Sequence, residues 1–108
     1  MSSMSPKPGQ IWKADLGYAG KVRWFVVVSR FDPDAARALA LAVPVTTEYR
    51  SSAYEVPLGK LPCFREPSFA NVQGLMSIRW TDLQEFGGQV PAPLMEQIRK
   101  AMRHAMEF

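Results

Sequence analysis

The segment Val22-Arg23-Trp24-Phe25-Val26-Val27-Val28-Ser29 constrains the fold of this chain more than any other. β-Branched and aromatic side chains lose rotamer freedom in a helix and pack well on a pleated surface, so the segment predicts a strand. Its apolar residues follow one another without alternation, the pattern of a central strand buried on both faces. Such a strand needs neighbours on each side. Gln10 to Asp15 precedes it across a turn marked by Gly17 and Gly20, and Ala38 to Val45 follows the turn residues Phe31-Asp32-Pro33-Asp34.

Pro44 lies inside the second of these neighbours. Having no N–H for a ladder, it predicts an edge position, a bulge or a strand end, with Val45-Thr46-Thr47 leaving the sheet. Tyr54 to Leu58 predicts a further strand, the stretch around Gly59, Pro62 and Pro67 is irregular, and Phe69 to Ile78 is strand-like again. Within that last segment Gly74 marks a bulge or a close backbone approach. Near the C-terminus the period changes. Leu94, Ile98, Ala101 and Ala105 recur at helical steps, Met95, Met102 and Met106 widen the stripe, and Pro93 sits where a first-turn proline is tolerated. Arg99, Lys100, Arg103 and His104 complement the negative end of that helix. The expectation is an α+β domain, a compact twisted sheet or small barrel covered by one amphipathic helix.

With 108 residues and 47% hydrophobic content, one core needs no disulfide or metal to support it. Residues 1–7 are expected to form a flexible lead and residues 8–108 a single domain. Cys63 is the only cysteine, and no Cys/His spacing suits a metal, so neither a metal nor another cofactor is expected. The chain has neither a signal-like N-terminus nor an apolar run long enough to span a membrane, and a cytoplasmic location is expected. A net charge of +3 suits nucleic acid or an acidic protein without demanding either.

Three segments in order resemble the MazF/PemK toxins: Pro8-Gly9-Gln10-Ile11-Trp12-Lys13-Ala14-Asp15-Leu16, then Lys21 to Ser29, then Ala42-Val43-Pro44-Val45-Thr46-Thr47. The Phe69-to-Leu83 segment and the terminal helix extend the likeness across nearly the whole domain. The resemblance implies a small SH3-like barrel, a homodimer, and an endoribonuclease (mRNA interferase) that cuts single-stranded RNA at short sequences. It also implies a small acidic antitoxin that occupies the RNA groove. By position, the catalytic arginine is Arg23 and its hydroxyl partner Thr46; from the residues themselves, Trp24 beside Arg23, the cations Lys21, Lys13 and Arg50, and Thr47 next to Thr46 are RNA-binding candidates. No metal is needed, because the ribose 2′-OH supplies the nucleophile. A guanidinium suits the charge developing on the phosphate oxygens, while a threonine hydroxyl can position the phosphate but is no strong base.

The chain also departs from the family. Trp24 stands where the family usually has proline, the loop from Leu16 to Val22 is short and lacks an acid, and Gly74 and Met76 replace a usual glutamine and arginine. Arg79 is a displaced candidate to compensate. These departures favour an alternative, a non-catalytic MazF/CcdB-like module that binds RNA or a protein target. A peptide-binding SH3-like adaptor is a third reading. Bland roles stand beside the sharp ones: Arg23 as a solvated strand arginine, Thr46 as a strand-end residue with a local hydroxyl contact, and His104 as a solvated helix residue. Trp12 is read as core, and Trp24 as a possible platform for an unpaired base.

Overall fold

The computed structural model describes residues 4–17 and 22–108. Its strands are β1 (Gln10–Asp15), β2 (Val22–Val27), β3 (Leu39–Thr46), β4 (Glu55–Gly59), β5 (Ser68–Asn71), β6 (Met76–Arg79) and β7 (Leu83–Gln89), followed by helix α1 (Ala92–Met106). Short 3-10 turns at Val72–Gly74 and Trp80–Asp82 flank β6. The pairings are antiparallel and run in the order β4-β5-β3-β2-β1-β7, with β6 also beside β3. The architecture is α+β, as expected. β4 and β7 end this order and, among the described residues, do not pair with each other, so these ladders leave the sheet open rather than closed into the expected barrel.

β2 is central, between β1 and β3. Only its second half matches the expectation of burial on both faces: Phe25, Val26 and Val27 are buried, whereas Val22 and Arg23 are exposed. Alternation then sorts the core onto two faces. Ile11, Val26 and Val43 pack with Val90 and with Met95, Ile98 and Ala101 of α1, while Ala14, Phe25, Ala42 and Ile78 form a smaller cluster. Fully burying a side chain such as Ile98 contributes about 1.5–3 kcal/mol, which is how α1 is held. Met106, expected in the same stripe, is 46% exposed as the last residue of the helix.

Pro44 is neither on an edge strand nor at a strand end. It lies within β3, opposite Phe25. Val28 N donates to Leu41 O at 2.9 Å, so Val26↔Val43 and Val28↔Leu41 are the hydrogen-bonded pairs and Phe25↔Pro44 is not. The missing N–H therefore faces the other side of β3. There the partner changes, from β6 over Leu39–Ala42 to β5 over Val45–Thr46, and no ladder bond is lost.

The same place explains why the expected strand from Phe69 to Ile78 is broken in two. A Cβ on Gly74 would lie 2.5 Å from Pro44 Cγ, so the chain turns tightly against the proline ring. The expected close backbone approach at Gly74 is thus present. β7 was not foreseen, because Leu83-Gln84-Glu85-Phe86-Gly87-Gly88-Gln89 is polar and glycine-rich; its pairing with β1 is irregular. Gly20 of the expected turn lies outside the described residues.

Within the lead, Ser5 and Pro6 are buried and Asp32 N donates to Ser5 Oγ at 2.9 Å. Gly9, at φ 90°, joins β2 to the start of α1: its N–H donates to Val27 O, and its carbonyl accepts from Val90 N. Among the described residues no helix is long and apolar enough to cross a membrane.

Candidate functional site

The β2–β3 register runs Val27↔Ala42, Val26↔Val43, Phe25↔Pro44. Carried two residues further, it sets Arg23 opposite Thr46 on the face that bears Phe25. Both residues line a cleft of about 540 Å³ together with Lys13, Trp24, Thr47 and Arg65. They also line an adjoining cleft of about 320 Å³ with Arg50, Asn71 and Gln73. The proposed pair is therefore brought together just beyond the last β2–β3 pair, where Arg23 is still paired with β1 and Thr46 with β5.

Glu48 N donates to Thr46 Oγ1 at 3.1 Å. The contact is of the local kind expected for a strand-end threonine, and it uses a lone pair of the oxygen, leaving the hydroxyl proton available to a ligand. Arg23 is exposed, and no carboxylate among the described residues lies within ion-pair distance of it. A guanidinium beside a hydroxyl donor, with no acid to neutralise it, can hold two oxygens of a tetrahedral anion.

The other candidates differ in how free they are. Lys13 lines the cleft, but its Nζ sits 3.5 Å from Glu85 Oε1 and 4.9 Å from the centroid of the Trp24 ring. Trp24 is half-buried: Phe64 meets it edge-on at 6.5 Å, and a Cβ on Gly87 would lie 2.5 Å from its Cζ3. The ring packs against Lys13, Phe64 and the β7 backbone while also lining the cleft. Thr47 is exposed in the cleft, while Arg50 contacts Glu48 at 3.4 Å in the adjoining one. Lys21 lies outside the described residues. Arg79 makes a two-pronged pair with Asp82, at 3.0 and 3.2 Å, and does not line either cleft. His104 packs on Tyr54 at the far groove between β4 and α1.

Several cleft residues have no signal in the sequence. Arg65 and Glu66 come from the irregular stretch before β5, and Glu85 from the unforeseen β7. Cys63 also faces the cleft; burial, with the Glu85 carboxylate adding to it, pushes its thiol above the usual cysteine range. Beside the second cleft, burial acts to raise the Glu55 pKa. The Ser52 hydroxyl and the Ser52 and Arg50 amides outweigh it and hold the carboxyl below its usual range. Among the described residues no group of three or more His, Cys, Asp or Glu side chains is placed to hold a metal.

The family model of PemK-like, MazF-like toxins of type II toxin–antitoxin systems matches residues 7–106. No curated protein matches by sequence. Among solved structures, the chain is similar to an endoribonuclease in complex with its cognate antitoxin from a mycobacterial species. That match has a TM-score of 0.84 and 24% identity, and it covers 96% of this chain and 97% of the other. It is also similar to the Mycobacterium tuberculosis toxin MazF-mt6, with a TM-score of 0.76, 24% identity and coverage of 92% and 97%. The MazE-MazF structure from Deinococcus radiodurans gives a TM-score of 0.77 at 19% identity, covering 94% and 95%. At these identities the likeness is one of fold.

Proposed function

Because this chain belongs to the PemK-like, MazF-like toxins of type II toxin–antitoxin systems, we propose that it is an endoribonuclease that cleaves single-stranded RNA at short sequences without a metal. The observation that carries this reading is that Arg23, unpaired by any acid among the described residues, and Thr46 line the same cleft. The ribose 2′-OH attacks the adjacent phosphorus, the bond from phosphorus to the 5′ oxygen breaks, and the products are a cyclic phosphate and a free 5′-OH. Arg23 binds the non-bridging oxygens as their charge grows, and Thr46 donates a hydrogen bond that keeps the phosphate in line. The 2′-OH proton leaves through water or through a cleft carboxylate, Glu66 or Glu85, and the departing oxygen takes one up.

By the same reading the protein acts in the cytoplasm as a homodimer, and a small acidic antitoxin neutralises it by covering the cleft that holds Arg23 and Thr46. A second reading, a non-catalytic binding module, draws on Trp24: a bulky ring packed under Lys13 stands where the family usually has proline. The test is incubation of a long mixed-sequence RNA with the protein and a metal chelator, comparing wild type with Arg23→Ala. Cuts at one recurrent short sequence, with cyclic phosphate ends and lost in the mutant, support the nuclease. Intact RNA from folded, antitoxin-free protein sinks it and leaves the binding module.

A further inference from the structure

We propose that Tyr49, stacked on Phe69, is a binding site for one unpaired nucleobase next to the cleaved phosphate; this rests on the reading that the Arg23–Thr46 cleft takes RNA. The two rings lie 4.4 Å apart at an interplanar angle of 4°. Parallel stacking at this distance covers one face of the tyrosine, yet Tyr49 is still 48% exposed, so the stack remains open at its outer side.

Its place in the sheet ties the stack to the phosphate site. Phe69 of β5 pairs with Thr46 of β3, and Thr46 stands opposite Arg23 of β2 by the extended register. Phe69 and Thr46 therefore share one face of the sheet, while Ala70 on the other face enters the core, and Thr46 in turn lines both clefts with Arg23. Adjacent strands are about 4.8 Å apart, so the stack begins one strand from the hydroxyl and two from the guanidinium. Tyr49 and Phe69 line neither cleft themselves, so the base that stacks on Tyr49 is that of a nucleotide flanking the phosphate held by Arg23 and Thr46.

The loop that carries the ring is held at both ends. Thr46 Oγ1 accepts from Glu48 N on one side of Tyr49, and Glu55 accepts from Arg50 N and Ser52 N on the other. A preorganised aromatic face loses little freedom on binding, and stacking tolerates any base. Glu48 and Arg50, the chain neighbours of Tyr49, line the adjoining cleft with Arg23.

The test measures affinity for a fluorescently labelled, mixed-sequence single-stranded RNA with 2′-O-methyl riboses, which cannot be cleaved, and for a chain of the same length lacking all bases. Tyr49→Ala is expected to weaken binding of the base-bearing chain about tenfold and to leave the abasic chain unaffected. Tyr49→Phe should restore binding to within about twofold, and Phe69→Leu should lose part of it. Equal binding of the base-bearing chain by folded Tyr49→Ala, equal losses on both chains, no binding by wild type, or no rescue by phenylalanine each overturns the proposal. If wild type binds in this pattern but leaves the unmethylated RNA intact, the base site stands and the nuclease reading falls.

Discussion

A Cβ on Gly87 would stand 2.5 Å from Cζ3 of Trp24 and 3.0 Å from its Cη2. Gly87 is thus the residue that admits a tryptophan after the site arginine, and the fit predicts a specific coupling. Gly87→Ala should destabilise the fold by about 1–3 kcal/mol, since a half-buried ring held by Phe64 and Lys13 cannot move aside freely. Trp24→Ala in the same chain removes the obstacle, so the double variant should be more stable than the two single losses added together. Urea unfolding of the four proteins checks this; strict additivity would refute the contact.

At the site, Arg23→Ala should lower single-turnover cleavage about 100- to 1,000-fold, the scale for losing a donor to developing oxyanion charge. Arg23→Lys should fall between, keeping charge but not the forked geometry. Because Arg23 is exposed and without an acidic partner among the described residues, both variants should unfold within about 0.5 kcal/mol of wild type. Loss of stability in parallel with loss of cleavage would assign Arg23 a structural role instead.

Thr46→Ser keeps the hydroxyl and should retain most activity. Thr46→Val removes both the donor to phosphate and the acceptor for Glu48 N, leaving that amide to water. It should therefore reduce cleavage more than Thr46→Ser does. Equal rates for serine and valine would remove Thr46 from the mechanism.

Glu55 sets a pH dependence for the loop that bears Tyr49. Its folded-state pKa lies below the usual value, so its contribution is fully present above that value and is lost as pH falls through the lowered one. Carbon-detected titration should find the Glu55 carboxyl midpoint below that of an ordinary glutamate. The amide signals of Arg50 and Ser52 should shift with the same midpoint and lose that transition in Glu55→Gln.

Cys63 should behave as a sluggish thiol. Burial and the nearby Glu85 carboxylate lower its thiolate fraction below that of an ordinary cysteine, so iodoacetamide should modify it more slowly than a free cysteine. Glu85→Gln should speed the reaction by lowering the thiol pKa; an unchanged rate would show that burial alone controls it.

Local pattern makes much of this molecule legible in the sequence. The apolar, β-branched run of β2, the short strands β1, β3 and β4, and the helical stripe Met95, Ile98 and Ala101 each carry their period within a few residues, and each forms where that period predicts. The order of the segments around Arg23 and Thr46 also suffices to point to the family. What escapes depends on partners distant in the chain. β7 is polar and glycine-rich and becomes a strand through pairing with β1, while the expected strand from Phe69 to Ile78 breaks at Gly74 because Pro44 packs there. The contacts of Trp24 with Gly87 and Lys13 join residues distant in the chain, and the stacked Tyr49 and Phe69 share no common signal. The sequence by itself determined β1 to β4 and α1, because the choice of strand or helix there rests on local sterics and periodic burial. Only the tertiary structure decided which side chains meet, because register and packing join residues whose separation along the chain carries no such period.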